Sequence, residues 1–282
     1  MHSNLFLRTI SAVVLAPLVL GSIWFGKSAY EIYSIPLYTI LLASFGTGLA
    51  WEWSMMFDKK LSGNTIIMAL FACLVAFLTE ANPGFALWLS LLGLTIVYWK
   101  TNGRLAYSLG TLYICLPILS LGYIYYINGG ISREIVLWLF FVVWATDIGG
   151  YVVGKTVKGP KLAPKISAKK TWSGLAGAIL FAMLVAYVFS LYLKAYDYLS
   201  PETGITFEKL MFVLVSSAGV LAVVSQAGDF FESYIKRKLN LKDSSNLIPG
   251  HGGLFDRVDG LLFASIVTAL IIAWFNKEGV LF

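Results

Sequence analysis

The sequence predicts an all-α fold: a polytopic integral membrane protein with about nine transmembrane helices. Hydrophobic residues account for 58% of the 282 residues and charged residues for only 13%, whereas roughly a quarter of the residues in soluble domains are charged. Apolar segments long enough to cross a bilayer recur along the chain, and a helix satisfies its own backbone hydrogen bonds there. These observations exclude a water-soluble globular fold.

Nine apolar segments have the length and composition of membrane spans. They run at about 10–26, 35–53, 65–78, 85–99, 106–127, 135–153, 175–193, 210–227 and 261–275. The third and fourth are short, and Asn82, Pro83 and Gly84 between them predict a tight hairpin. We expect a single membrane domain over residues 1–282, with N-terminal spans in 1–104 and the spans that carry the polar chemistry in 105–282.

The lysines and arginines are unevenly divided between the two sides of these spans. Of the 21 basic residues, 16 lie in the N-terminus and in the loops after the second, fourth, sixth and eighth spans, which are all on one side. The other 5 lie on the opposite side. Cytoplasmic loops collect Lys and Arg. The sequence therefore predicts a multi-pass protein of the inner (cytoplasmic) membrane, with its N-terminus in the cytoplasm, its C-terminus outside and its active site facing the cytoplasm.

Two stretches depart from the apolar background, residues 144–174 and 226–260. An ionisable residue near hydrocarbon is a functional candidate, because burying it unpaired costs about 3 kcal/mol. Asp147 lies late in the sixth span and Asp229 closes the eighth. Each could simply mark a helix end that faces water. The alternative is a shared cation, because Mg²⁺ is usually held by one or two carboxylates plus substrate phosphates.

The second polar stretch contains two aspartates at the start of the ninth span. Asp256 and Asp259 are three residues apart, which places them on one helix face. Complementing the helix dipole could be their only role, but that role does not explain Arg257 between them or the glycine-containing run 248–257. Glycines and a helix N-terminus together suit a bound anion.

The loop of residues 155–170 contains six lysines and no acidic residue. Positive-inside topology alone explains the sign of the charge, but not the embedded polar string K-I-S-A-K-K-T-W-S-G, which indicates phosphate binding. Gly149, Gly154, Lys155 and Thr156 also satisfy the spacing of a Walker A phosphate-binding loop. That loop requires a strand before it and a helix after it. Because an apolar span precedes it here, we interpret the match as coincidence.

Residues 233–259, S-Y-I-K-R-K-L-N-L-K-D-S-S-N-L-I-P-G-H-G-G-L-F-D-R-V-D, resemble the pattern that marks the phosphatidate cytidylyltransferase family. The fixed positions of that pattern are Ser233, Lys236, Arg237, Lys242, Asp243, Pro249, His251, Gly252, Gly253, Asp256, Arg257 and Asp259. Residues 144–174 are similar to the family's second polar block, with two departures. Ala168 stands where Pro is usual, and Ser173 where Glu or Gln is usual.

The resemblance implies a Mg²⁺-dependent reaction in which the cytidylyl group of CTP is transferred to phosphatidate. The products are CDP-diacylglycerol and diphosphate. The residues expected to be catalytic are Asp229, Asp256, Asp259, Lys242 and Asp243. The expected metal ligands are Asp229, Asp256 and Asp147, with a second cation such as K⁺ nearby. The expected substrate-binding residues are Lys155, Lys165, Ser167, Lys169, Lys170, Thr171, Ser233, Lys236, Arg237, His251, Gly252, Gly253 and Arg257. The expected partners are CTP, phosphatidate in the membrane and a second copy of the chain in a homodimer, with no nucleic acid.

Alternatives remain open for the substrate, the class of protein and two side chains. The pattern leaves the lipid tail open, so another lipid phosphate, such as an ether lipid or a polyprenol, is one alternative. An ion transporter is another, although transporters place their acids near mid-membrane and often in duplicated halves. A phosphomonoester is largely dianionic at neutral pH and needs no general base, so we expect His251 to form a hydrogen bond to phosphate or to its own loop instead. Glu52, between Trp51 and Trp53, is interpreted as an interfacial anchor, with a catalytic part as the alternative.

Overall fold

The computed structural model describes residues 2–25, 37–127, 131–164, 166–195, 206–248, 250 and 252–277. Within those ranges the chain forms α1 (His2–Phe25), α2 (Leu37–Asp58), α3 (Gly63–Thr79), α4 (Pro83–Lys100), α5 (Leu105–Tyr126), α6 (Ser132–Thr156), α7 (Trp172–Ala195), α8 (Phe207–Lys238) and α9 (Phe255–Lys277). Each helix overlaps one predicted span. The all-α fold is therefore confirmed.

Five of the described helices, α5 to α9, are long and apolar enough to cross a membrane. Shorter apolar helical stretches cover Ala16–Phe25 and Gly63–Thr79. The chain is thus a multi-pass membrane protein. The largest difference from the predicted spans is at the end of α8, which continues to Lys238 rather than ending near Ala227. Its last turns are polar and basic. The helix can continue through them because its backbone hydrogen bonds do not require apolar side chains.

A short β-hairpin, which the sequence did not predict, occupies part of the lysine-rich loop. Strands β1 (Lys161–Ala163) and β2 (Ser167–Thr171) pair antiparallel, with Lys161 opposite Thr171 and Ala163 opposite Ser167. From the sequence alone these residues are assigned only to a loop, because they are mostly polar and lack the alternation that indicates a half-buried strand. The hairpin packs against α6 and α7.

The chain divides into two compact units. The first is Met1–Ile127 with Ile235–Val258, and the second is Asn128–Tyr234 with Asp259–Phe282. In the first unit α2, α3, α4 and α5 pack together and α1 packs on α2. Leu49, Met68 and Ile114 are fully buried there. In the second unit α6 packs against α7. That the whole chain is one membrane domain stays a prediction.

The α3–α4 connection confirms the predicted tight hairpin. α3 ends at Thr79, α4 begins at Pro83, and the two helices pack against each other. Asn82 caps α4, since its Oδ1 accepts a hydrogen bond of 2.9 Å from the N–H of Phe85. Proline suits the first helical position because its missing N–H would have no partner there. The local sequence is sufficient to end one helix and start the next.

Close contact between α6 and α7 depends on glycines. A Cβ atom on Gly149 would lie 2.6 Å from the carbonyl oxygen of Gly177, and one on Gly177 would lie 2.4 Å from Cβ of Val153. Glycines permit such approach between membrane helices. The Walker-like residues Gly149, Gly154, Lys155 and Thr156 all lie within α6. The interpretation of that match as coincidence is therefore confirmed, and two of its glycines serve helix packing.

We expect Gly177→Ala to destabilise the protein by about 1–3 kcal/mol, because the added methyl group overlaps Val153 and the backbone of α6. Gly219→Ala on α8 is the matched control, since the nearest atom to its new Cβ is the flexible Met183 side chain at 3.4 Å. The control should be unchanged or up to about 1 kcal/mol more stable, because Ala is a better helix former. Unfolding in detergent, followed by tryptophan fluorescence, measures both. Equal stability of the two variants would contradict the packing role of Gly177.

Candidate active site

A cavity of about 490 Å³ in the second unit is lined by most of the predicted site residues of the first polar stretch, residues 144–174. It lies among α6, the β-hairpin, the start of α7 and the end of α8. The charged side chains that line it are Asp147, Lys155, Lys158, Lys161, Lys169, Lys170 and Asp229. Thr171 and Gln226 add neutral polar groups. The structure thus brings together five of the predicted site residues of residues 144–174 with Asp229, and adds Lys158, Lys161 and Gln226, which were not predicted.

Asp229 is held by two neighbours in this cavity. Lys170 forms an ion pair with its Oδ2 atom, and the Ser233 hydroxyl donates to its Oδ1 atom at 3.2 Å. The Lys170 ammonium also lies 4.7 Å from the centroid of the Phe230 ring. Lys170 therefore links β2 to α8. Ser233, predicted to bind substrate, instead contacts a predicted metal ligand.

Three other lysines of the cavity have ammonium groups available for an anion. Within the described residues, the ammonium groups of Lys158, Lys161 and Lys169 make no hydrogen bond or ion pair. Lys155 differs, because its ammonium group donates to the Tyr151 hydroxyl at 3.2 Å. Five lysines against two aspartates make the cavity positively charged. Such a site attracts phosphate groups.

Ser173 ties the start of α7 to the segment before β1. Its hydroxyl donates to the carbonyl of Lys158 and lies 3.1 Å from Oγ1 of Thr171. Thr171 in turn accepts a hydrogen bond of 3.1 Å from the N–H of Gly174. The residue that departs from the family pattern at position 173 therefore has a structural contact of its own, and Thr171 caps the helix rather than pointing freely into the cavity. Ser167, also predicted to bind substrate, lies at the start of β2 opposite Ala163.

Asp259 and Glu232 are two further carboxylates of the second unit. The charges of Asp229, Glu232 and Asp147 all act on Asp259, whose Oδ1 atom accepts a hydrogen bond of 2.7 Å from the N–H of Gly260. Glu232 was not predicted, although it follows Asp229 by three residues on the same helix. Among the described residues no three acidic, histidine or cysteine side chains are arranged to hold a metal by themselves.

Asp256 lies at the start of α9 in the first unit and is extensively hydrogen bonded. Its Oδ2 atom accepts from the N–H and hydroxyl of Ser244 and from the N–H of Gly253, each at 2.9 Å. Lys236, buried with only 10% of its side chain exposed, donates to Oδ1. Asp256 therefore organises its own loop. That it also shares a cation with Asp229 stays a prediction.

Glu52 corrects the sequence interpretation. It is fully buried, and its carboxylate accepts hydrogen bonds from the N–H groups of Leu254 and Phe255 at 2.6 and 2.8 Å. The interpretation as an interfacial anchor was wrong, because the tryptophans on either side of Glu52 suggested a membrane interface while its real partners lie some 200 residues later. The anion expected at the N-terminus of α9 is thus supplied, at these two N–H groups, by the protein itself.

Glycines allow this arrangement. A Cβ atom on Gly253 would lie 1.8 Å from the Ser244 hydroxyl and 2.7 Å from Oε1 of Glu52. Gly252 has a φ of +89°, in the left-handed region that glycine tolerates. Of the other predicted residues in this unit, Lys242, Asp243, Arg237 and Arg257 are exposed, and Arg237 donates to the carbonyl of Leu241 at 3.0 Å. Lys165, Pro249 and His251 lie outside the described residues.

Comparison with known proteins shows extensive similarity. Residues 6–275 match the family model of the cytidylyltransferase family. The chain is 33% identical to a phosphatidate cytidylyltransferase of Rickettsia bellii over 279 residues, which cover 97% of this chain and 91% of that protein. It is 32% identical to a phosphatidate cytidylyltransferase of Brucella abortus over 299 residues, covering 99% and 97%. A Rickettsia typhi protein of the same name is 31% identical over 267 residues, covering 94% and 90%.

Proposed function

Because this chain belongs to the cytidylyltransferase family, and is therefore a nucleotidyltransferase, we propose that it joins CTP to phosphatidate, releasing diphosphate and forming CDP-diacylglycerol. The observation that carries this proposal is the cavity in the second unit, in which five lysines surround Asp147 and Asp229. The curated relatives are named for the same reaction. An ion transporter is not supported, because the family to which the chain belongs is one of enzymes.

The charge of the cavity suits the proposed substrates. CTP and phosphatidate both carry phosphate groups, and the lysines of the cavity outnumber its aspartates by three. Nucleotidyl transfer requires mostly correct positioning and neutralisation of charge. Lys158, Lys161 and Lys169 can meet phosphate oxygens directly, whereas Lys170 must first leave Asp229. The lysines thus hold the reacting phosphates close together and stabilise the negative charge on the departing diphosphate.

The nucleophile of the proposed reaction needs no protein base. The second pKa of a phosphomonoester is about 6, so the phosphate of phosphatidate is mostly dianionic at neutral pH. Its oxygen forms the new bond to the α-phosphorus of CTP, and the bond to the bridging oxygen of diphosphate breaks. No proton must be removed in this step. An essential histidine base is therefore unnecessary.

The donor set in the second unit fits a magnesium ion. Asp147 and Asp229 both line the cavity, and Mg²⁺ in phosphate-transfer sites is usually held by one or two carboxylates, with substrate phosphates as further ligands. Mg²⁺, when bound, would neutralise phosphate charge as diphosphate leaves. Asp229 would hold it only after exchanging its contact with Lys170. A second cation such as K⁺ belongs to the same proposal, and the role of Asp256 as a metal ligand stays a prediction.

The proposed reaction takes place at the cytoplasmic face of the inner membrane. The support is the distribution of basic residues, 16 of 21 on the side that also carries both polar stretches. A cluster of lysines there would attract anionic lipid. With nine crossings the N-terminus is cytoplasmic and the C-terminus lies outside. A homodimer is the proposed assembly, on the family resemblance alone.

A product assay tests the proposal. Purified protein in detergent, given CTP labelled at the α-phosphate, phosphatidate and Mg²⁺, should form a labelled chloroform-soluble product, and chelation of Mg²⁺ should abolish it. Lys169→Ala should raise the KM for CTP about 10-fold or more, because a charged hydrogen bond contributes about 1.5–3 kcal/mol. Lys100→Ala, outside the cavity at the end of α4, is the control and should match the parent protein.

Parallel reactions with a polyprenyl phosphate and an ether-lipid phosphate test the lipid. If one of these lipids gives a labelled product and phosphatidate gives none, that lipid is the substrate in place of phosphatidate. The type of reaction would stay as proposed. No labelled lipid from any of the three, with a folded sample, would contradict the proposed function.

A further inference from the structure

Glu52 is a carboxylate in the first unit to which the proposed reaction assigns no role. Its side chain reaches from α2 to the beginning of α9, where four donors surround it. Oε1 accepts from the N–H of Leu254 and the hydroxyl of Ser245, and Oε2 accepts from the N–H of Phe255, with the Ser244 hydroxyl 3.2 Å away. The residue is fully buried. A buried carboxylate that accepts hydrogen bonds on both oxygens is held in one orientation.

The two backbone N–H groups that bind Glu52 are donors that would otherwise attract a bound anion. The first N–H groups of a helix have no partner inside the helix, and they attract an anion. Glu52 fills that place with a side chain of the protein. Phe255, the first residue of α9, is also fully buried and stacks on Tyr113 with ring centroids 5.4 Å apart. The start of α9 is therefore fixed both by charge and by packing.

Ser244 connects Glu52 to Asp256. The Ser244 hydroxyl lies 3.2 Å from Oε2 of Glu52 and 2.9 Å from Oδ2 of Asp256, and its N–H also donates to Asp256. Asp256 in turn holds the buried ammonium group of Lys236. A displacement of Glu52 would thus move the loop that carries Ser244, and through it Asp256.

We infer that Glu52 is a positioning residue for the proposed transfer reaction, on which this inference rests. Its carboxylate anchors the N-terminus of α9 and the segment at Ser244 and Ser245. Asp256, Lys236 and the neighbouring Arg257, all of them proposed site residues, depend on that anchor for their orientation. Glu52 does not touch substrate in this role, and none of its partners belongs to the lysine-lined cavity. Its loss should therefore lower turnover more than binding of CTP.

Glu52→Gln tests this role, because it keeps the size of the side chain but turns one acceptor oxygen into an NH₂ donor that faces other donors. Ser54→Ala is the matched control: Ser54 is buried two residues further along α2, and among the described residues its hydroxyl bonds only to that of Tyr107, at 2.8 Å. Hydrogen exchange of peptides covering residues 252–258 reports the anchor directly. The initial rate with varied CTP gives kcat and KM.

In Glu52→Gln we expect the amides of Leu254 and Phe255 to exchange at least about 10-fold faster. We expect kcat to fall about 100-fold, as small misplacements of reacting groups can cost, with the KM for CTP within about threefold of the parent value. Ser54→Ala should change neither exchange nor kcat by more than about twofold. Should Glu52→Gln fail to fold, Ser245→Ala removes one donor, keeps the carboxylate and should lower kcat about fivefold.

The outcomes separate the two proposals. Faster exchange with normal kcat in Glu52→Gln, or an equal loss of kcat in Ser54→Ala, would overturn the positioning role and leave the proposed function intact. Unchanged exchange would overturn the anchor itself. Absence of any labelled lipid with the unsubstituted protein would overturn the proposed function and the positioning role that rests on it, whereas the exchange data would still report whether Glu52 anchors α9.

Discussion

Asp229→Asn is expected to lower kcat by about 100-fold to 1000-fold, the loss typical of removing one preorganised electrostatic group from a reacting centre. The substitution keeps the shape of the side chain and its hydrogen bond with Ser233, but removes the charge that pairs with Lys170. Lys170 would lose its position, and the cavity would lose one of its two carboxylates. The measurement is labelled-product formation at saturating CTP.

Asp58→Asn is the control for that substitution. Asp58 also forms an ion pair, with Arg104 at 2.8 Å, but lies at the end of α2 and outside the cavity. Because Arg104 is about half exposed, the pair contributes about 0–1 kcal/mol to stability. This variant should retain nearly full activity. Comparable losses of kcat in both variants would show that the loss of any ion-paired aspartate harms the protein. That result would contradict a specific role of Asp229 in the site.

Asp256→Asn is expected to lower the free energy of unfolding by about 3–5 kcal/mol, the usual cost of leaving one partner of a buried ion pair alone. The Lys236 side chain is only 10% exposed, so its charge would remain buried opposite an uncharged amide. Activity should be lost as well. Unfolding by denaturant in detergent measures the stability, and the product assay measures the activity.

The paired variant Lys236→Met with Asp256→Asn separates the two effects. With no charge left unpaired, it should recover most of the stability lost by Asp256→Asn, because a buried ion pair can often be replaced by apolar groups without loss. It should remain inactive, since both residues belong to the proposed site. Recovery of activity together with stability would show that Asp256 serves the fold alone, and would contradict its catalytic role.

Helices were predicted well because the evidence for them is local. The breaks at Asn82 and Pro83 separate α3 from α4 as expected, and the apolar runs coincide with the helices that follow. The exceptions have a common reason. Hydropathy marks where hydrocarbon ends, not where backbone hydrogen bonding ends, so the polar end of α8 and the hairpin of β1 and β2 were missed.

Site residues were predicted by type more successfully than by partner. Asp147, Asp229 and three of the predicted lysines do line one cavity. Thr171 and Ser233, however, contact protein groups rather than lying free for substrate: the N–H of Gly174 three residues later and Asp229 four residues earlier. These are the ordinary spacings of a helix cap and of one helix face, so local rules could have suggested both contacts. Lys158 and Lys161 could have been included, since they belong to the same lysine-rich loop, whereas Gln226 required knowledge of how α8 lies against α6.

Composition and short-range pattern were enough to establish the membrane class, the helices and the family of this protein, because each depends on residues within a single segment. Folding in three dimensions was needed to show that Glu52 serves α9, that Lys170 binds Asp229, and that Gly149 packs against Gly177. A carboxylate accepts whichever donors the fold brings within about 3 Å. For Glu52 and Phe255 those groups are 203 residues apart, a distance over which no local pattern carries information.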